Sequence, residues 1–217
     1  MKLANTILAA MLALLTTAAL AQNAEQSPAP KADVFLVYSY LRFNPTIPAA
    51  RNRSYNGGGG GFTFFMGKYF GAKGEFMGYA STTFTTTVTA PVVTKNGTIP
   101  VGTFSSQANM FTYMFGPVIR YPGKVTPFAE VLFGGSNTNG YTNLIKSINL
   151  GGGTLSSSGT QHPFTMAYGG GLDVSLHKHL AIRPVEIDYV LTRYTNPFTG
   201  TNNQNNFRYI GGVVFNY

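Results

Sequence analysis

The sequence predicts an all-β protein, an eight-stranded antiparallel up-and-down transmembrane β-barrel with short turns at one end and long loops at the other. Three observations carry that reading: an export signal, a terminal strand with two unlike faces, and connections that alternate in length. In the terminal strand Phe207, Tyr209, Gly211, Val213, Phe215 and Tyr217 share one parity, while Arg208, Ile210, Gly212, Val214 and Asn216 share the other. Strand side chains alternate with period two, so the first set forms one face with aromatics at both ends and small apolar groups between them. Ten residues rising about 3.4 Å each and tilted roughly 40° climb about 26 Å, the height of the apolar band of a membrane barrel.

Taken in chain order, Met1 to Ala21 has the form of a secretory signal. Lys2 supplies the positive start, Ile7 to Leu15 a short apolar core, and Ala19 and Ala21 the small residues of a cleavage site. The apolar run is too short for a membrane helix, and no other segment offers about twenty consecutive apolar residues. Gln22 to Ala32, rich in Gln, Pro and Ala, reads as a flexible periplasmic lead-in. Residues 33–217 then form one domain.

Eight strands are expected over Asp33–Phe43, Gly58–Met66, Gly71–Ala80, Met110–Tyr121, Pro127–Gly135, Phe164–Leu176, Leu180–Tyr194 and Phe207–Tyr217. The connections at 67–70, 122–126 and 177–179 are tight. Those at 44–57, 81–109, 136–163 and 195–206 are long and rich in Asn, Thr, Ser and Gly. An even strand number with loops segregated by length is the pattern of a bacterial outer-membrane barrel whose termini both lie in the periplasm. Within the second long loop, Asn96-Gly97 between β-branched runs predicts a type I′ hairpin tip, with the third and fourth strands continuing beyond the membrane. Pro117 and Pro184 fall inside expected strands, where each removes a ladder donor and predicts a bulge or an open bond.

The seventh strand repeats the two-faced pattern. Arg183, Val185, Ile187, Tyr189, Leu191 and Arg193 form the expected lipid face, its end arginines reaching into headgroups, and Pro184, Glu186, Asp188, Val190 and Thr192 form the other. Carboxylates facing lipid would cost several kcal/mol, so Glu186 and Asp188 are expected inside. Glu75, Glu130 and Asp173 are placed there too, with Lys73, Arg120 and Arg208 as partners, in a packed and polar lumen. A soluble lipocalin-like carrier would reverse this arrangement, with an apolar interior and a polar exterior.

Composition agrees. Charged residues are 10% of the chain, whereas Phe and Tyr number 17 and 13. Cleavage would leave 14 basic and 7 acidic residues, a dispersed net charge of +7. Nucleic-acid binding calls for clustered cations, and none cluster. The absence of cysteine excludes disulfides and Cys-type zinc sites.

Catalytic and ligand motifs fail on spacing. Gly57–Gly61 and Gly169–Gly171 lack the phosphate-loop and dinucleotide patterns, and are read as bends or bare backbone beneath aromatics. His177 and His179 share a strand face, but two ligands in a tight turn make a weak metal site. His162 near Ser156–Ser158 is the one hydrolase candidate, and it lacks a carboxylate nearby in sequence. Glu186 and Asp188 have the residue types of an acid–base pair, read here as structural charges. No enzyme activity, cofactor or metal is expected.

With its signal, eight strands, three tight turns, four long loops and terminal FRYIGGVVFNY, the chain resembles the OmpA/OmpX-type small outer-membrane β-barrel superfamily over about 33–217. The resemblance implies an assembly signal carried by Tyr209, Val213, Phe215 and Tyr217, the last standing where the family usually ends on Phe. It implies a structural and surface-interaction role through extracellular loops, not bulk flow, since eight strands enclose a lumen filled by side chains. The implied partners are outer-membrane lipid, the barrel-assembly machinery and an extracellular ligand. The alternatives are a barrel enzyme resembling lipid A deacylases and the soluble carrier.

Overall fold

The computed structural model describes residues 29–44, 53–81, 83–94, 97–156, 161–194 and 203–217. The export signal, with Ala19 and Ala21, lies outside them. In chain order the elements are β1 (Ala32–Phe43), β2 (Arg53–Phe65), β3 (Phe70–Ser81), β4 (Phe84–Val88), β5 (Val92–Thr94), β6 (Gly97–Ile99), β7 (Gly102–Ser106), β8 (Asn109–Arg120), β9 (Val125–Thr138), α1 (Gly140–Leu150), β10 (Phe164–His177), β11 (Leu180–Thr192) and β12 (Gln204–Asn216). Eight of the strands close a barrel in the order β1-β12-β11-β10-β9-β8-β3-β2, every pair antiparallel. Closure joins β1 to β12 from Asp33↔Asn216 to Arg42↔Phe207, so the barrel sheet has no free edge.

One barrel end carries the connections 66–69, 121–124 and 178–179 together with Lys31 and Tyr217, whose carbonyl accepts the Lys31 and Ala32 amides at 2.7 and 3.1 Å. This is the turn end; the other is the loop end. Several barrel strands extend further toward the loop end than expected, β2 beginning at Arg53, β9 ending at Thr138 and β12 beginning at Gln204, whereas β11 stops earlier, at Thr192. Ladder pairing uses backbone groups alone, so it continues past the apolar band into Asn-, Ser- and Gln-bearing stretches.

The outward face is apolar and aromatic. Leu36, Phe62, Phe64, Phe76, Phe115, Ile119, Phe133 and Val213 are among the large hydrophobic side chains exposed there. Tyr209, Phe215 and Tyr217 are exposed as well. So large an apolar surface has no place in water and excludes the lipocalin-like arrangement. Inside, the expectation of a polar lumen is corrected: Phe35, Leu41, Met77, Met114, Leu132 and Ile210 are buried beside the ions. Eight strands leave a core that must be filled, and side chains of either polarity fill it.

The two strand prolines behave differently. The β8–β9 ladder omits Gly116 and Pro117 but resumes in register at Val118↔Glu130. At Pro184 the β11–β12 register shifts, from Arg183↔Gly212 to Glu186↔Ile210, so one extra β11 residue is bulged. The Pro184 carbonyl, freed from the ladder, accepts a hydrogen bond from the Tyr209 hydroxyl at 2.7 Å. A one-residue bulge exchanges the faces of everything beyond it. Arg183 is therefore inside and Pro184 outside, the reverse of the expected lipid-facing Arg183.

The loop end holds a second small core. β4 pairs with β7 and β5 with β6, making a hairpin beyond β3 and β8. Thr94 pairs with Gly97 beside the tip, and Asn96 of the expected Asn96-Gly97 turn lies outside the described residues. Gly97 leaves the tip at φ 134°, a backbone region open to glycine. Among the described residues, the helix α1 departs from the all-β expectation. Its Leu144, Ile145 and Ile148 pack on Val88, Ile99, Phe104 and Leu155. Thr98 and Thr154 exchange hydrogen bonds at 3.1 and 3.2 Å, tying the two loops together.

Candidate functional site

The lumen is layered. In its turn-end half Lys73 of β3 sits among three carboxylates from three strands, with its Nζ 2.8 Å from Glu130, 3.0 Å from Glu186 and 3.5 Å from Glu75. Arg208 of β12 bonds Glu75 and donates to Asp188 at 2.7 and 2.9 Å. Arg183 bonds both oxygens of Asp173, at 2.7 and 2.9 Å, and reaches Glu186 at 2.7 Å. These contacts join Asp173, Arg183, Glu186, Lys73, Glu130, Glu75, Arg208 and Asp188 into one connected network. The Arg183 guanidinium also lies 4.4 Å from the Phe128 ring centre, so an aromatic face covers what the carboxylates leave.

Seven of the eight residues expected in the lumen network are thus brought together. The eighth, Arg120, is buried apart at the turn end, where it contacts Asp33 at 3.5 Å and donates to the Pro30 carbonyl. Sequence reading missed Asp33, and it placed Arg183 on the wrong face for the reason just given. Treating Pro184 as a parity break would have found Arg183.

Glu75, Glu130 and Glu186 could together offer oxygens to a metal, all within 4.8 Å of one another. The Lys73 ammonium already occupies their centre, so the donor set fits that cation and not an additional one. His177 and His179 are exposed in the turn-end rim, and His179 Nδ1 is 3.0 Å from the Asn216 carbonyl. His162 is exposed at the loop end. By register Asp188 lies opposite Gly169, five residues down β10 from Phe164 and about 17 Å away at strand rise. No Ser-His-acid set is assembled among the described residues.

Gly169 also matters to the network. A Cβ there would stand 2.2 Å from Asp188 Oδ1, so bare backbone is what lets that carboxylate reach Arg208. Gly169→Val is expected to destabilise the barrel by about 1–3 kcal/mol, as overpacking does. Urea titration of refolded protein measures it.

Beyond the ions, Met77, Met114, Leu132 and Ile210 form a fully buried apolar layer. Neutral hydrogen bonds follow, Ser39 with Tyr79 at 3.0 Å and Ser136 with Thr165 at 2.7 Å. Phe43 then meets Tyr55 and Tyr194 edge-on, with ring centres 5.9 and 6.4 Å away. The turn end is instead open: a cavity of about 1040 Å³ reaches from the rim to Lys73, Glu130 and Arg183.

The sequence matches no protein-family profile and no curated protein. Solved structures do match. Neisserial surface protein A superposes with a TM-score of 0.58 at 7% identity, over 88% of this chain and 100% of that one. The outer membrane protein OprG from Pseudomonas aeruginosa gives 0.50 at 14% identity, over 89% and 99%. Identities this low speak to fold. With eight antiparallel strands closed end to end, an apolar exterior and an ion-filled interior, the chain has the fold of the small eight-stranded outer-membrane β-barrels.

Proposed function

We propose that this protein is an outer-membrane barrel with a structural and surface-interaction role, presenting a folded platform to the cell exterior and conducting no bulk flow. The signal ending at Ala21 exports the chain, residues 22–32 lead into the barrel from the periplasm, and the turn end faces the periplasm. Tyr209, Val213 and Phe215 on the outward face of β12, with Tyr217 just beyond its end, are the surface the assembly machinery would contact. The role is non-enzymatic.

The observation that carries this reading is the loop-end module, in which Ile99, Phe104, Ile145, Ile148 and Leu155 are buried against one another away from the barrel lumen. Loops with a core of their own are ordered before a partner arrives, which lowers the entropic cost of binding. The segments 44–52, 82–108, 139–163 and 193–203 contain Arg51, Lys95, Lys146 and Arg193 and no Asp or Glu. Their fixed charge favours an anionic partner, outer-leaflet lipid phosphates included.

The protein is expected in the outer-membrane fraction as a band that migrates differently before and after boiling, and to give no sustained conductance steps in planar bilayers. A stable open-pore current from purified protein would overturn the non-porin reading. A heat-independent band in the soluble periplasmic fraction would overturn the envelope reading.

A further inference from the structure

We propose that the distal tip of the loop-end module docks onto a facing anionic lipid bilayer, inserting aliphatic side chains between its headgroups. This rests on the reading that the loop end meets an anionic partner, and it names that partner. Exposure is the first argument. Among the described residues the two most exposed large hydrophobic side chains are Leu150 at 91% and Val93 at 82%, and neither belongs to the barrel wall. Val92 and Val101 are exposed as well. The small core is closed without them, by Ile99, Phe104, Ile145, Ile148 and Leu155. Apolar side chains gathered at one end and left out of the packing mark a surface that something else covers.

The fold brings these side chains to one end. From the barrel rim the chain pairs first as β4 with β7 and then as β5 with β6, so Val92 and Val93 stand at the far end of the hairpin. The helix α1 starts at the rim, where a Cβ on Gly140 would meet Ala108, and runs about 16 Å. Its other end lies beside the hairpin: a Cβ on Gly151 would meet the Phe104 ring, and Thr154 bonds Thr98, the ladder partner of Val93. The Asn149 side chain bonds the Leu155 amide and carbonyl at 2.9 and 2.8 Å, which fixes the turn after Leu150. Lys146 is exposed one helical turn before Leu150, on the same face.

Charge and residue type choose the partner. From Asp33 onward the acids are Asp33, Glu75, Glu130, Asp173, Glu186 and Asp188, and all six lie inside the barrel. The loop segments therefore keep Arg51, Lys95, Lys146 and Arg193 with no carboxylate among them, and the field there has one sign. An anionic bilayer takes up cations at its headgroups and aliphatic groups just beneath. Valine and leucine are under-represented among the residues that anchor protein partners, and side chains this exposed project outward, which a fluid bilayer accommodates without a preformed pocket. The tip points away from the protein's own membrane, so the bilayer it meets is a facing one.

The test holds the full barrel in phosphatidylcholine nanodiscs and measures its cosedimentation with vesicles of phosphatidylcholine, alone or mixed with phosphatidylglycerol. Binding to the mixed vesicles is expected to be at least tenfold tighter than to the neutral ones. V93T/L150Q should lose at least tenfold on the mixed vesicles, while K31Q/K178Q at the turn end stays within twofold. Heat-modifiable migration of each variant checks that it has folded. Since the chain has no cysteine, Leu150→Cys carrying an environment-sensitive fluorophore reports insertion. Its emission should shift to the blue on the mixed vesicles, and a label at Ser105→Cys, exposed on β7 nearer the rim, should not shift. Unchanged binding by folded V93T/L150Q, or a Leu150→Cys label that stays in water, would overturn the inserted tip and leave the anionic-partner reading standing. Binding that ignores both phosphatidylglycerol and K146Q/R193Q would remove that reading instead. A folded parent that binds neither vesicle would overturn the lipid assignment and give the tip to a protein partner.

Discussion

Replacing Lys73 with methionine is expected to cost about 3–5 kcal/mol of unfolding free energy, the range for removing one partner of a buried ion pair. Its ammonium is buried between Glu130 and Glu186 at 2.8 and 3.0 Å, with Glu75 at 3.5 Å, and methionine fills a similar space without charge. Arg208 would still serve Glu75, and Arg183 would still serve Glu186. Glu130 would be left with no cation, because its ion pair among the described residues is to Lys73. The double variant K73M/E130Q removes that stranded charge and is expected to regain at least half of the loss. Urea titrations of the refolded proteins, followed by band shift, compare the two. A cost below about 1 kcal/mol for K73M is the level of a solvated surface pair. It would mean that water reaches the network freely and that ions are not what fills this part of the lumen.

Why the barrel fills its centre with ions is legible from the strands that bear them. Lys73, Glu75, Glu130, Glu186, Asp188 and Arg208 alternate with exposed apolar residues, and lipid outside leaves a charged side chain only one direction to point. Parity alone therefore placed these six. It failed at Arg183, where the Pro184 bulge exchanges faces within a strand, and a period-two reading cannot see an inserted residue. It was also silent on Phe35, Met77 and Met114, since an apolar side chain is tolerated on either face of a barrel wall. The loop-end module was hidden for a different reason. Asn, Gly, Ser and Thr dominate those segments and read as loop, yet Leu144, Ile145 and Ile148 already stand at helical spacing within them. The turn-end cavity had no linear signature: Lys31, Lys68, Lys124 and Lys178, 37, 56 and 54 residues apart in sequence, come to line one opening only when the barrel closes.

Orientation can be tested on the other face of the same strand. Ile187 stands between the inward Glu186 and Asp188, is 50% exposed, and pairs with Gly170 and Tyr209 near the middle of the wall. Ile187→Arg is expected to cost about 2–4 kcal/mol in lipid vesicles, the penalty for a cation at the midplane of a membrane barrel. Val34→Arg, equally outward but one residue from the turn-end carboxylate Asp33, is expected to cost about 0–1 kcal/mol, because its guanidinium reaches headgroups. The difference between the two is what discriminates. On a barrel surrounded by water both substitutions are exposed surface changes and would fall within about 0.5 kcal/mol of the parent. Equal small effects would therefore remove lipid from the outer face, and with it the physical reason for confining the strand carboxylates to the lumen. A graded penalty that follows depth would tie the apolar exterior and the charged interior to the same cause.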